Sequence, residues 1–134
     1  MENILKNKVN TLMTAISNSE FNDMVEDVKD TLQLCADYVA LVANEEASIQ
    51  MARIRMEPAD YRSFVKNIDS NRRARHEALM ANINMLNRLA AALKVEPVFD
   101  VDIDDRESYF RVAKVVVDEY FTDKEAGSAT GSIK

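Results

Sequence analysis

Asp69, Arg73, His76, Met80, Asn84 and Asn87 step by 4, 3, 4, 4 and 3, a spacing that sets all six on one helical face. Arg72 and Arg88 flank the row. Guanidinium groups beside an imidazole and two carboxamides are anion-binding chemistry, because the Arg fork matches phosphate and carboxylate oxygens. An ordinary solvent face favours Glu and Lys; Asn costs about half a kcal/mol relative to Ala inside a helix. Asn82, Asn84 and Asn87 therefore read as groups that hydrogen-bond something. Three arrangements would satisfy the row. It can form a polar layer inside a bundle, with Arg72 or Arg73 paired to Glu45 or Glu46 and His76 against Tyr38 or Asp37, since buried charges need partners. It can meet another protein, including a second copy. It can hold a small anion.

Catalytic alternatives find little material. His76 is the only histidine and Cys35 the only cysteine. Cys35 falls in the apolar pattern Leu32, Cys35, Val39 and reads as a small buried hydrophobe, which also excludes an intramolecular disulfide. No H-E-x-x-H or paired E-x-x-H motif supports a helix-borne metal centre, and nothing calls for a cofactor. Both glycines, Gly127 and Gly131, lie near the C-terminal end, so no glycine-rich phosphate loop exists. Asp100, Asp102 and Asp104 begin like a calcium loop. The sixth position, however, is Asp105 where the turn needs Gly, and the twelfth is Arg111 where a bidentate Glu is needed.

The elements that would position the row are helices. With 2 Gly, 2 Pro and 47% hydrophobic residues, the chain reads as globular and all-α, not as a turn-rich β protein. Leu5, Val9, Leu12 and Ile16 mark a first helix, and Ser19 is placed to cap a second. Phe21, Val25, Val28, Leu32, Cys35, Val39 and Val42 continue at near-heptad spacing, extended by Ile49 and Met56 after a lapse at Glu46. Pro58 suits the first turn of a third helix and forces Glu57 out of helical geometry. Tyr61, Val65, Ile68, Leu79, Ile83, Leu86, Ala90 and Leu93 form its apolar stripe, with Asp69-Ser70-Asn71 a possible interruption. Asp104, with Glu107 three residues on, resembles the capped start of a fourth helix through Tyr109, Val112, Val116 and Tyr120.

The reading is a bundle of three to four helices in one domain, 1–125, dominated by a long antiparallel hairpin of about 20–56 and 58–95. That hairpin brings Arg72 opposite Val42–Glu46, and His76 opposite Tyr38. The Gly/Ser/Thr-rich stretch 126–134 reads as a disordered tail. Of seven methionines, Met51, Met56, Met80 and Met85 fill core gaps or form an adaptable contact surface, with core the simpler expectation.

The net charge of −6 is unevenly spread: residues 51–76 hold seven basic and three acidic groups between two acidic segments. Internal pairing of this basic block is the simpler expectation, an anionic partner the other. The overall negative charge disfavours nucleic acid. No apolar run is long enough to span a membrane, and Met1–Ser19 lacks a signal-peptide core, so a cytoplasmic protein is expected.

The run Asp69-Ser70-Asn71-Arg72-Arg73-Ala74-Arg75-His76, with Ala78-Leu79 and Asn84-Met85-Leu86-Asn87-Arg88-Leu89, resembles an uncharacterised family of small helical proteins from Gram-positive bacteria. The resemblance spans roughly 58–93. It implies a small cytoplasmic bundle with no assigned activity, and that Asp69, Arg72, Arg73, His76, Asn84, Asn87 and Arg88 belong together. The expected role is a non-enzymatic interaction or regulatory module, self-associating or bound to another protein. The rival is a small-anion binder or enzyme built on the same stripe.

Overall fold

A computed structural model describes residues 4–121 as four α-helices with no strand among them. They are α1 (Ile4–Ser17), α2 (Val25–Arg55), α3 (Pro58–Ala92) and α4 (Arg106–Val116). The expected disordered tail, 126–134, lies outside the described residues.

The hairpin turn is two residues long. Met56 (φ −98°, ψ 151°) and Glu57 (φ −64°, ψ 149°) are extended, and Pro58 opens α3. Proline disfavours helical geometry at Glu57, and its own missing N–H costs nothing in a first turn. α3 then runs unbroken through Asp69-Ser70-Asn71. Three weak helix formers do not stop a helix whose two flanks pack on the same neighbour.

α2 begins later than Ser19 implied. The Ser19 hydroxyl accepts from the Phe21 N–H at 3.0 Å and donates to the Ile16 carbonyl at 2.8 Å, which closes the turn after α1. A short 3-10 turn, Asn22–Met24, intervenes, and Met24 precedes α2 without a side-chain cap. The start of α4 is likewise shifted by one residue: Asp105, not Asp104, accepts the Glu107 N–H at 3.1 Å. Asp105 is extended (φ −118°, ψ 97°) directly before the first helical residue, whereas Asp104 lies one residue further out, its N–H donating to the Asp102 carboxylate. The far end of α3 closes on Lys94, whose φ of 61° is left-handed. Val95 N–H reaches the Ala90 carbonyl and Lys94 N–H that of Ala91, the two bonds of a Schellman cap.

One hydrophobic core is shared by all four helices and the α3–α4 connection. Leu12, Ile16, Val28, Cys35, Leu79, Ile83, Leu86, Phe99, Tyr109 and Val116 are fully buried in it. α1 is pinned from the other end of the chain: Glu119, in the widened last turn Val117–Phe121, accepts from the Leu5 and Lys6 N–H groups. A carboxylate at a helix N-terminus satisfies free donors and complements the dipole.

Every member of that core lies within 5–42 or 79–120. Between 43 and 75 only Glu45 and Ala52 are buried. The hairpin therefore continues past the body as a two-helix arm about 20 Å long, at 1.5 Å per residue.

Candidate functional site

Where the arm leaves the body, a cleft of about 360 Å³ is lined by Tyr38, Val42, Asp69, Arg72, Arg73, His76, Arg106, Glu107 and Phe110. α2 contributes Tyr38 and Val42, α3 the next four residues, and α4 the last three. The hairpin register delivers the α2–α3 pairs. Arg72 Nε donates to Glu45 at 3.0 Å and its Nη2 to Glu46 at 3.3 Å, while Asn71 reaches Glu45 at 3.4 Å. Glu45 is 8% exposed, so the heptad lapse at this level is a charged pair at the base of the arm. Burial works against the Arg72 cation, but its bonds to Glu45 and Glu46 outweigh that and hold it protonated beyond the ordinary arginine range.

His76 stacks on Tyr38 with ring centroids 5.4 Å apart and an interplanar angle of 12°. Tyr109 meets its edge at 6.4 Å, and Phe110 meets Tyr38 edge-on at 6.0 Å. The buried His76 Nε2 has no hydrogen-bond partner. Burial lowers the His76 pKa and the Arg106 cation lowers it further, against the Arg106 backbone, Glu107 and Glu77. The imidazole is thus neutral near pH 7 and serves as an aromatic wedge under α4. Burial also raises the Tyr38 pKa, keeping its phenol neutral.

The stripe divides along its length. Asn84 accepts the Tyr109 hydroxyl at 2.7 Å. Asn87 brackets Phe99, donating to its carbonyl at 2.8 Å and accepting its N–H at 3.2 Å. These carboxamides tie α4 and the α3–α4 connection to α3. Met80 and Met85 pack against the core, whereas Met51 and Met56, on the arm, are exposed. Asp69 and Arg73 are exposed on the cleft rim, without a hydrogen bond or ion pair. Arg88 is exposed beside Ile103 and likewise unpaired. Asp37 does not join the site: it points to solvent and accepts from Gln33 on its own helix.

α4 brings residues that the stripe did not foretell. Arg106 bonds Glu77 at 2.8 Å, which with its charge holds the Glu77 carboxyl below the usual range. Phe110 forms a cleft wall, and Lys114 lies over its ring at 5.6 Å. Phe110 follows Tyr109 on the sequence pattern that marked α4, so its helix was visible, but not the face it presents.

Burial also pushes the Cys35 thiol up to about 12, which makes it an inert core group. Among the described residues, no three His, Cys, Asp or Glu side chains gather to hold a metal ion.

Internal pairing does not account for the basic block. Of its seven cations only Arg72 forms an ion pair; Arg53, Arg55, Arg62, Lys66, Arg73 and Arg75 are exposed and have none. The block's own acids, Glu57, Asp60 and Asp69, form no ion pair with them. The arm tip is also apolar: Met51 is 47% exposed, Ile54 80% and Met56 40%. A shallow groove runs beside them between Ala47, Ser48, Ala52, Arg55 and Phe64.

These features belong to an all-α helical bundle with an outlying hairpin. The chain belongs to the family described as protein of unknown function DUF3232, whose profile matches residues 2–122. The resemblance noted over 58–93 thus gives way to a match over almost the whole chain. No curated protein and no solved structure matches it significantly. Among the described residues no helix is long and apolar enough to cross a membrane.

Proposed function

We propose that this protein is a non-enzymatic interaction module of the bacterial cytoplasm that grips a protein partner, in the first place another copy of itself, with the arm. Six exposed, unpaired cations along the arm, with Arg53 and Arg55 flanking the exposed Ile54 beside Met51 and Met56, carry the reading. Apolar anchors in a charged rim are what a protein contact needs: burial of the anchors supplies affinity, and the charges supply register and association rate. The Arg72–Glu45–Glu46 cluster and the Tyr38–His76 stack set the angle at which the arm leaves the body.

A photo-reactive side chain in place of Ile54 tests this in cells. The reading expects a discrete crosslinked protein adduct from position 54 and none from Thr14, an exposed position on α1. No adduct at position 54 would sink it.

A second reading is favoured by the cleft itself, where Arg73 has no partner and His76 Nε2 is unsatisfied. Its ligand would be a small anion with a flat apolar part, held between Arg73 and the Tyr38–Phe110 walls. Binding to the folded state raises apparent stability. A thermal-shift series with inorganic phosphate, nucleotides and aromatic carboxylates should then give a Tm rise that Arg73→Ala abolishes. A flat series excludes it.

A further inference from the structure

The arm's complement is present on the same molecule. The connection 100–105 and α4 enclose a shallow groove whose apolar lining includes Val101, Val112 and Val115, the last 41% exposed. Ile103, 73% exposed, stands beside it on the same connection. Asp100 and Asp102 line the groove and Asp104 follows Ile103 on the connection; none of the three makes an ion pair, whereas the groove's Arg111 is taken up by Asp105. On the arm the cations prevail: Arg53 and Arg55 flank Ile54 and Met51, and with Arg62 and Lys66 they outnumber Glu57 and Asp60 at the turn, all of them exposed.

We infer that the arm tip of one copy docks in the acidic groove of a second copy, so that two chains exchange arms. This rests on the interaction reading above and names its partner. Charge complementarity selects the occupant: residues 51–76 carry a net +4 in a chain of net −6, so the remainder is strongly acidic. Two arms laid against each other would set like charges together. An arm laid on a second body pairs Arg53 and Arg55 with Asp100 and Asp104, and covers Ile54 and Ile103 together. One chain cannot make this contact with itself. Asn84, which lies beside Ile103, is separated from Pro58 at the arm tip by an unbroken stretch of α3 about 40 Å long. A two-fold axis makes the contact twice and closes the pair, because each copy offers both an arm and a groove. The interface is rich in exposed charge pairs, so it weakens as salt rises.

Sedimentation velocity on the full chain tests the exchange. The wild type is expected to dimerise in low salt and to dissociate progressively toward 1 M salt. Arg53→Glu/Arg55→Glu and Asp100→Lys/Asp104→Lys should each be monomeric, with dimer affinity down at least about tenfold. None of these four side chains makes a bond within the chain, so both variants keep the helical circular-dichroism spectrum. Mixing the two makes both contacts complementary, one with the original signs and one with the signs reversed, and yields a heterodimer. A wild type that stays monomeric at low salt, or a dimer indifferent to both variants, overturns the inference. The photo-reactive residue at position 54 separates that failure from failure of the underlying reading. An adduct with a different protein overturns self-docking while the arm stays an interaction surface; no adduct overturns both.

Discussion

The two halves of α3 share a helix and little else. From Leu79 to Ala90 its inner face is almost inaccessible, buried in the core that it shares with the other helices. From Pro58 to Arg75 it has a single helical neighbour and no buried residue of its own. Two antiparallel helices give each other one seam, whereas a four-helix bundle covers a helix on several sides. Hydrophobic burial thus stabilises the body, and the arm persists through its continuity with it. A segment not needed to build the core is free to carry exposed apolar and cationic side chains, which in the body would cost stability or solubility.

Truncations sharpen this contrast first. Leu86→Ala removes a fully buried side chain and should cost about 3 kcal/mol, whereas Phe64→Ala on the half-buried arm seam should cost less than about 1.5 kcal/mol. Equilibrium urea unfolding measures both, and equal losses would erase the distinction. The boundary itself is probed next. Arg72→Ala strands the buried Glu45 carboxylate and should cost about 2 kcal/mol. Replacing both residues by Leu should recover most of that loss, because a stranded charge costs more than a missing pair.

At the opposite end of α3, Lys94→Gly relieves a left-handed residue that bears a Cβ. It should raise stability by up to about 1 kcal/mol, net of the greater unfolded-state freedom of Gly. Acid should act through His76. Its folded-state pKa lies below the ordinary value, so the unfolded chain takes up the proton first as pH falls. Stability therefore declines as pH drops through about 6.5 toward the folded-state value. The lowered carboxyls of Glu77 and Asp105 add their losses only in more acid solution. In His76→Phe the step near pH 6 should vanish from a Tm–pH series, while the acid limb remains. Smallest of all is Ile54→Ser, expected to shift unfolding by less than about 0.5 kcal/mol because the side chain is 80% exposed. The same change should abolish the dimer.

Much of the body was legible because its physics is periodic. The 4-3 spacing marked α1 and the seams of α2 and α3, and Pro58 marked the turn to within a residue. Equal distances across that turn brought Arg72 to Glu45 and Tyr38 to His76. Capping was less legible, since Asp104 and Asp105 offer the same chemistry one residue apart and only the backbone decides between them. The composition of the cleft was hidden because the long connection 93–105 fixes where α4 lands, and nothing in the helical pattern encodes that landing. The arm was hidden for a related reason. Tyr61, Val65 and Ile68 keep the helical period as faithfully as Leu79 and Ile83, but periodicity reports that a face is apolar and not how many neighbours cover it. The unpaired cations of 51–76 carried that information, once internal pairing was seen to stop at Arg72.

Amide hydrogen exchange at two protein concentrations, one on each side of self-association, tests most directly the claim that body and arm have separate tasks. In the dilute sample residues 47–68 should exchange well before 28–35 and 79–90, whose opening approaches global unfolding. In the concentrated sample the arm tip and the 100–105 connection should gain protection together, with the core helices unchanged. Arm amides as protected as the core in dilute solution, or protection gained at α1 instead, would contradict the account.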